Sequence, residues 1–214
     1  MEPGKKIVLY PHPALRHPAK PLSAIDAEVR RYAGRMLELM YENKGLGLAG
    51  PQIALPVQLL VMNFEGEAEK KDMEVVAINP VIMDRKGTQE GDEGCLSFPD
   101  LYQKVRRAKT VVVQYYDLSG NLREMTAHEL PARLWQHEID HLHGRPGLRG
   151  IVGDLVVLCR GGHLGGGQAH QGVAVGRGNV NARSEQFLDG ETNPLRSHLR
   201  AAAENARNAG LRDA

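Results

Sequence analysis

His137-Glu138-Ile139-Asp140-His141 is the stretch from which both the fold and the chemistry of this chain can be argued. On an α-helix, positions i and i+4 share one face, so the two imidazoles can reach a single metal ion. Glu138 lies about 100° around the same helix, where its carboxylate reaches a water activated by the metal instead of the metal. A carboxylate at hydrogen-bonding distance takes a proton from such a water. The stretch therefore predicts a helix that carries the metal site of a hydrolase.

Strand-like segments precede this helix along the chain. They cover residues 57–64, 75–83, 110–118 and 122–128. Pro80 predicts an edge or a bulge in the second segment, and residues 119–121 (Ser-Gly-Asn) predict a hairpin turn between the last two. Pro131 suits the first turn of a helix that runs to about His143 and is closed by Gly144. Strands followed by a helix that carries His and Glu indicate an α+β domain.

An amphipathic helix is predicted nearer the start of the chain. Ser23 with Asp26 resembles a capping box, with Asp26 at its third position. Apolar residues then recur at helical spacing at positions 25, 29, 32, 33, 36, 37 and 40. Gly45 is predicted to end this pattern. Prolines at positions 11, 13, 18 and 21 predict an extended, ordered arm before it.

The composition limits the classes of function. A chain of 214 residues with 42% hydrophobic and 25% charged residues is an ordinary globular protein, large enough for one sizeable core. Its net charge of +1 gives no broad attraction to nucleic acid or to anionic membranes. The basic residues Lys104, Arg106, Arg107 and Lys109 are interpreted as solvated strand and loop positions.

The cellular compartment is predicted from cysteine usage and from the start of the chain. Cys95 and Cys159 form no disulfide framework, which favours a reducing compartment. The first residues resemble neither a secretory signal nor a transit peptide, and no apolar run approaches the length of a membrane span. We therefore expect a cytoplasmic protein.

The third metal ligand decides the class of hydrolase, because a catalytic site usually combines three protein ligands with one open position. One large protease group would need histidine where Gly147 stands. A thermolysin-like protease would need a carboxylate on a second helix, whereas Asp154 lies in a glycine-rich stretch with no evident helix. Cys95 is the better candidate, because it lies between glycines and a proline and not within the apolar stripe of a core residue.

Three blocks of sequence carry a resemblance to a known family. Residues 45–52 are Gly-Leu-Gly-Leu-Ala-Gly-Pro-Gln, residues 93–97 are Glu-Gly-Cys-Leu-Ser, and residues 136–144 are Gln-His-Glu-Ile-Asp-His-Leu-His-Gly. Together they resemble the three signature motifs of peptide deformylases, and the resemblance covers about residues 5–144. Gly50 stands where that family usually shows a second alanine. The resemblance implies an α+β fold in which antiparallel strands pack around a central helix with the metal motif.

The resemblance also implies a role for each residue of the site. The metal ligands would be Cys95, His137 and His141, with Glu138 as general acid and base, and with Gln52 and the backbone N–H of Leu96 as the oxyanion hole. Gly45 and Gly47 would let their loop pass close to the substrate, while Leu46 and Leu134 would form walls of an apolar methionine pocket. Removal of the formyl group from the N-terminal methionine of newly made proteins is the implied reaction. The implied metal is Fe²⁺, with Zn²⁺, Ni²⁺ or Co²⁺ as substitutes.

Residues near the site receive simpler interpretations. Arg107 is hypothesised to pair with Glu93 and so to brace the cysteine loop. Asp140 is interpreted as a surface carboxylate, and His143 as exposed because it is out of phase with the two metal histidines.

The chain changes character after Gly144. All nine lysines lie at or before Lys109, whereas the last 70 residues contain nine arginines and no lysine, and eight glycines fall between Arg145 and His170. We predict a catalytic domain at residues 1–150 and a poorly ordered Gly/Arg-rich tail at residues 151–214 that adds little core. The tail departs from the apolar strand usual in deformylases, which suggests a segment that is out of frame or otherwise novel.

Alternative functions remain open at this point. One is a catalytically impaired, deformylase-like metal-binding protein, and another is a general zinc endoprotease. The expected partners are formylmethionyl nascent peptides and the ribosome, with no direct binding to nucleic acid or membrane.

Overall fold

A computed structural model describes residue 4 and residues 6–145 of the chain. The predicted tail at residues 151–214 lies outside these residues, so the division into two parts stays a prediction. The helices are α1 (Ala27–Glu42) and α2 (Glu129–Leu142), and the strands are β1 (Gly47–Ala49), β2 (Leu59–Asn63), β3 (Glu74–Lys86), β4 (Gln89–Cys95), β5 (Phe98–Arg107), β6 (Thr110–Tyr116) and β7 (Leu122–His128). Short 3₁₀ helices cover Pro13–Arg16, Gly50–Ile53 and Lys71–Met73. No helix among the described residues is long and apolar enough to cross a membrane.

Two antiparallel sheets surround α2. One has five strands in the order β1-β2-β3-β6-β7, and the other is the hairpin β4-β5. Both helices contact β2, and all five of its residues are buried, as an uninterrupted apolar run predicts. Trp135, Ile139 and Leu142 of α2 pack into the same core as Val111 and Val113 of β6. The predicted α+β class with antiparallel strands packed around the metal helix is confirmed.

Of two features predicted from local sequence signals, the bulge at Pro80 is confirmed and the cap of α1 is wrong. Register slips between Ile78 and Val81, so Pro80 lies at a bulge of β3. The predicted cap at Ser23 is wrong, because Asp26 caps α1 and accepts a hydrogen bond from the Val29 N–H at 2.9 Å. A carboxylate is as good a helix cap as a serine hydroxyl, so the two candidates could not be separated by residue type.

The β4-β5 hairpin was not predicted from the sequence. Its strands bring Glu90 opposite Arg106 and Asp92 opposite Lys104, and all four side chains are exposed. Charged residues are uncommon in strands, and only the pairing across the hairpin makes this pattern favourable. The sequence signal for a strand was therefore weak here.

The N-terminal arm links the three signature blocks. The Val8 N–H donates to the Gln52 carbonyl at 2.8 Å, the Tyr10 N–H to the Ser97 carbonyl at 3.0 Å, and the Ala19 N–H to the Leu142 carbonyl at 2.8 Å. The arm therefore holds the 3₁₀ helix Gly50–Ile53, the turn after β4 and the end of α2 in one arrangement.

Gly144 lies close to the arm just after the end of α2. Its φ is +67°, and a Cβ there would lie 2.7 Å from the carbonyl carbon of His17. We expect Gly144→Ala to lower the free energy of unfolding by about 1–3 kcal/mol, from overpacking and an unfavourable φ. Urea unfolding of both proteins measures this change.

Gly34→Ala is the matched control. No atom lies within 4 Å of a Cβ at this position of α1, so alanine is expected to stabilise the helix by roughly 0.5–1 kcal/mol. Equal shifts in the two variants would contradict the close approach at Gly144.

Candidate metal centre

Three potential metal ligands converge where β4 ends beside α2. His137 and His141 lie one turn apart on α2, with ring centroids 5.1 Å apart. Cys95 is the last residue of β4, and its Sγ lies 3.3 Å from Nε2 of His141. The ligand atoms of all three residues lie within 4.8 Å of one another.

The donor set fits a divalent transition-metal ion. One thiolate with two imidazoles suits Zn²⁺ or Fe²⁺, and three protein ligands leave a position open. His137 uses Nδ1 to contact Glu93 at 3.0 Å, which leaves its Nε2 for a cation and matches the usual support of metal-binding histidines. Nδ1 of His141 is buried and has no hydrogen-bond partner among the described residues.

The two histidines differ in their pKa values. Burial drives the pKa of His141 well below its usual range, which favours the neutral form that binds metals. Burial also acts to lower the pKa of His137, but hydrogen bonds to Cys95 and Glu93 outweigh it and raise the pKa to about 10. Metal binding would release this proton.

Glu93 is the central residue of a buried network of charged side chains next to the potential ligands. Its carboxylate accepts two hydrogen bonds from Arg107, both at 2.9 Å, and one from Arg133 at 2.8 Å, besides its contact with His137. Burial acts to raise the pKa of Glu93, yet the hydrogen bonds from His137 and Arg107 hold it at about 2. The predicted pair of Arg107 with Glu93 is confirmed, whereas the interpretation of Arg107 as a solvated position is wrong, because its side chain is only 8% exposed. That the pair braces the cysteine loop stays a prediction.

Two members of this network were misjudged or missed from the sequence. Asp140 is not a surface carboxylate, because it forms an ion pair with Arg107 and its side chain is only 15% exposed. Arg133 was not predicted to belong to the site, although it lies four residues before His137 and so shares the face of α2 that carries the two histidines. His143 is exposed, as predicted.

Glu138 of α2 lines the same cavity as Cys95 and His137. It is 2% exposed, and its Oε2 has no hydrogen-bond partner among the described residues. Burial raises the pKa of Glu138 to about 7. A carboxylate with such a pKa can both accept and return a proton near neutral pH.

Gln52 presents its amide NH₂ toward the cysteine. Its Oε1 accepts a hydrogen bond from the Ala49 N–H at 2.8 Å, which fixes the orientation of the amide. Its Nε2 then lies 3.6 Å from Sγ of Cys95 and 3.4 Å from Oγ of Ser97. This contact of Ser97 with Gln52 was not predicted from the sequence, where Ser97 is only the last residue of the second motif.

The remaining predicted residues lie around one cavity of about 600 Å³. Its walls include Gly45, Leu46, Gly47, Gln52, Cys95, Leu96, Leu134, His137 and Glu138. Leu96 follows Cys95 in the turn after β4, and a Cβ at Gly45 would lie 2.7 Å from its Cδ1. The structure therefore brings all predicted site residues together, with His141 fully buried beside Cys95.

A helix that carries His-Glu-x-x-His beside a cysteine, the potential third ligand, inside an α+β fold is typical of a metal-dependent hydrolase. Residues 4–151 match the family model described as polypeptide deformylase. The chain belongs to the peptide deformylase family and is a hydrolase of that family.

Relatives and solved structures agree with this assignment. The chain is 46% identical over 140 residues to a peptide deformylase of Acidobacterium capsulatum, a match that covers 65% of this chain and 82% of the relative. It is 42% identical over 139 residues to a peptide deformylase of Nitrosococcus oceani, covering 65% and 81%. The crystal structure of the Thermotoga maritima peptide deformylase has a TM-score of 0.61 at 35% identity, covering 65% and 91%. That of the Legionella pneumophila peptide deformylase has a TM-score of 0.65 at 33% identity, covering 74% and 98%.

The departure at Gly50 has a local explanation. A Cβ at this position would lie 2.8 Å from the carbonyl oxygens of both Leu55 and Val57. The turn after the 3₁₀ helix Gly50–Ile53 packs too closely here for an alanine.

Proposed function

We propose that this chain removes the formyl group from the N-terminal formylmethionine of newly synthesised polypeptides. The observation that carries the proposal is that Glu138 and Gln52 line one cavity together with Cys95 and His137, while His141 lies beside Cys95. Metal-dependent hydrolysis of an amide needs a proton acceptor, a hydrogen-bond donor to the oxygen that becomes negative, and a set of metal ligands.

Cys95, His137 and His141 would hold one divalent ion, for which we propose Fe²⁺, with Zn²⁺, Ni²⁺ or Co²⁺ as substitutes. When bound, such an ion lowers the pKa of water and polarises a carbonyl oxygen. Glu93 orients His137 through Nδ1, so that Nε2 faces the other ligands.

Glu138 and Gln52 would carry out the protein's part of the reaction. The Glu138 carboxylate takes the proton of the attacking water and returns it to the leaving amine. The amide of Gln52 and the backbone N–H of Leu96 donate hydrogen bonds to the oxygen that becomes negative. Because Ala49 holds the other end of the Gln52 amide, the donor is fixed before the reaction begins.

The apolar walls would select methionine and a small acyl group. Leu46 and Leu134 line the cavity and are proposed to contact the methionine side chain. Gly45 and Gly47 are proposed to let the loop approach the peptide. The formyl carbon bears only hydrogen, so a tight site admits it and excludes bulkier acyl groups by size.

The proposal includes three further points. We infer that the catalytic domain comprises residues 1–150, that the protein acts in the cytoplasm, and that its substrates are nascent chains at the ribosome. No direct binding to nucleic acid or membrane is proposed, and the net charge of +1 supports this.

Release of formate from a formyl-Met peptide by the full-length chain, loaded with Fe²⁺ or Ni²⁺, tests the proposal. We expect turnover with the formylated peptide and at least about 100-fold lower kcat/KM with the acetylated peptide, because the acetyl methyl group overfills the site. The same assay on a chain that ends at Gly150 tests whether residues 1–150 are sufficient.

Two results would overturn this function. A folded, metal-loaded protein that releases no formate would favour the catalytically impaired alternative. Cleavage inside unblocked peptides without release of formate would instead favour a general zinc endoprotease.

A further inference from the structure

Gly47 of β1 lies directly against the carboxylate of Glu138. A Cβ at Gly47 would be 2.5 Å from Oε1, 2.8 Å from Cδ and 2.9 Å from Cγ of Glu138. Carbon atoms that are not bonded do not approach so closely, since optimal separations are about 3.5–4.0 Å. Any side chain at position 47 would therefore displace this carboxylate.

The backbone at Gly47 does not itself require glycine. Gly47 lacks the positive φ found at Gly4, Gly66, Gly87, Gly120 and Gly144. It pairs with Met62 as an ordinary antiparallel strand residue and is buried. Glycine weakens the interior of a strand, and its presence there often marks a close approach by another group.

Few other groups can fix the end of the Glu138 side chain. Its Oε2 is buried and accepts no hydrogen bond from the described residues. Packing against Gly47 restrains the Oε1 side of the carboxylate, where there is no room for even a Cβ.

We propose that Gly47 is a positioning residue, whose missing side chain sets the location of the Glu138 carboxylate relative to Cys95, His137 and His141. The proposal rests on the proposed role of Glu138 in proton transfer. It separates Gly47 from Gly45, because a Cβ at Gly45 would meet the side chain of Leu96 and not the carboxylate. Gly47 thus acts on the reaction through Glu138, beyond giving the substrate room.

Gly47→Ala in the full-length, metal-loaded protein tests the proposal. We expect kcat to fall by at least about 100-fold, because a shift of about 1 Å in a reacting group costs this much. KM is expected to stay within about threefold and metal content to be unchanged, because the three atoms nearest to the added Cβ all belong to Glu138. Gly34→Ala, whose Cβ would have open space, is the matched control and should keep the wild-type kcat.

A shorter carboxylate should rescue the variant in part. Glu138→Asp withdraws the acid by one methylene, so Gly47→Ala is expected to cost less than about tenfold in kcat when it is made in the Glu138→Asp protein. An equal loss in both backgrounds, or a kcat for Gly47→Ala within about threefold of wild type, would overturn the proposal.

A stability cycle tests the same contact without any activity. Gly47→Ala is expected to lower Tm in the wild-type background and to lower it much less in the Glu138→Ala background, where the carboxylate is absent. An equal drop in both backgrounds, or failure to fold in both, overturns the contact. This cycle still decides the role of Gly47 if the full-length chain releases no formate, so failure of the proposed function remains distinguishable.

Discussion

Glu138→Ala is expected to lower kcat for formate release by roughly 10²–10⁴, the range for loss of a general acid–base group. Glu138 is buried at the wall of the cavity, beside but not among the three potential ligands. The variant is therefore expected to bind one metal ion per chain, as the wild type does. Steady-state assays with a formyl-Met peptide and measurement of metal content check the two halves of this expectation.

Glu138→Gln and Glu129→Gln provide the controls for this result. The first keeps the size of the side chain and removes its ability to take a proton, so it should lose about as much activity as the alanine variant. The second makes the same change at an exposed carboxylate of the same helix and should keep the wild-type kcat. Turnover by Glu138→Gln within tenfold of wild type would contradict a role in proton transfer.

Features of the fold that depend on neighbours along the chain could be predicted from the sequence. His137 and His141 point to one metal because a helix brings positions four apart together, and α2 does so. The bulge at Pro80 follows similarly from the missing N–H of proline. Periodicity gave no role for Cys95 or Gln52, and their roles were predicted from the resemblance to the three motifs. The two side chains lie together at the candidate metal centre.

Features that depend on contacts distant in sequence were missed. Glu90 and Asp92 indicate a solvated loop until the partner strand supplies Arg106 and Lys104. Likewise Asp140 is an ordinary exposed acid on a helical wheel, and only the arrival of Arg107 from β5 buries it. In both cases the favourable energy comes from a partner that local patterns do not contain.

Glu93→Gln is expected to cost about 3–5 kcal/mol of the free energy of unfolding. Glu93 is buried and compensates two buried guanidinium groups, those of Arg107 and Arg133. Glutamine has nearly the same shape, but it removes the negative charge and turns an NH₂ group toward donors that need an acceptor. With typical stabilities of about 5–15 kcal/mol, such a loss would leave a marginally folded protein.

The metal site is expected to weaken in the same variant, because Nδ1 of His137 loses its charged partner. Loss of such a partner typically costs 10–100-fold in metal affinity. Urea unfolding of the metal-free protein and competition with a chelator for the metal separate the two effects.

Glu90→Gln makes the identical chemical change at an exposed position of the same strand, where ion pairs contribute about 0–1 kcal/mol. Comparing the two variants therefore separates the effect of burial and ion pairing on the free energy of unfolding from the effect of losing one negative charge. Equal unfolding energies for the two variants would show that the network around Glu93 does not stabilise the fold. A destabilised Glu93→Gln that keeps the wild-type metal affinity would show instead that Glu93 supports the two arginines and not His137.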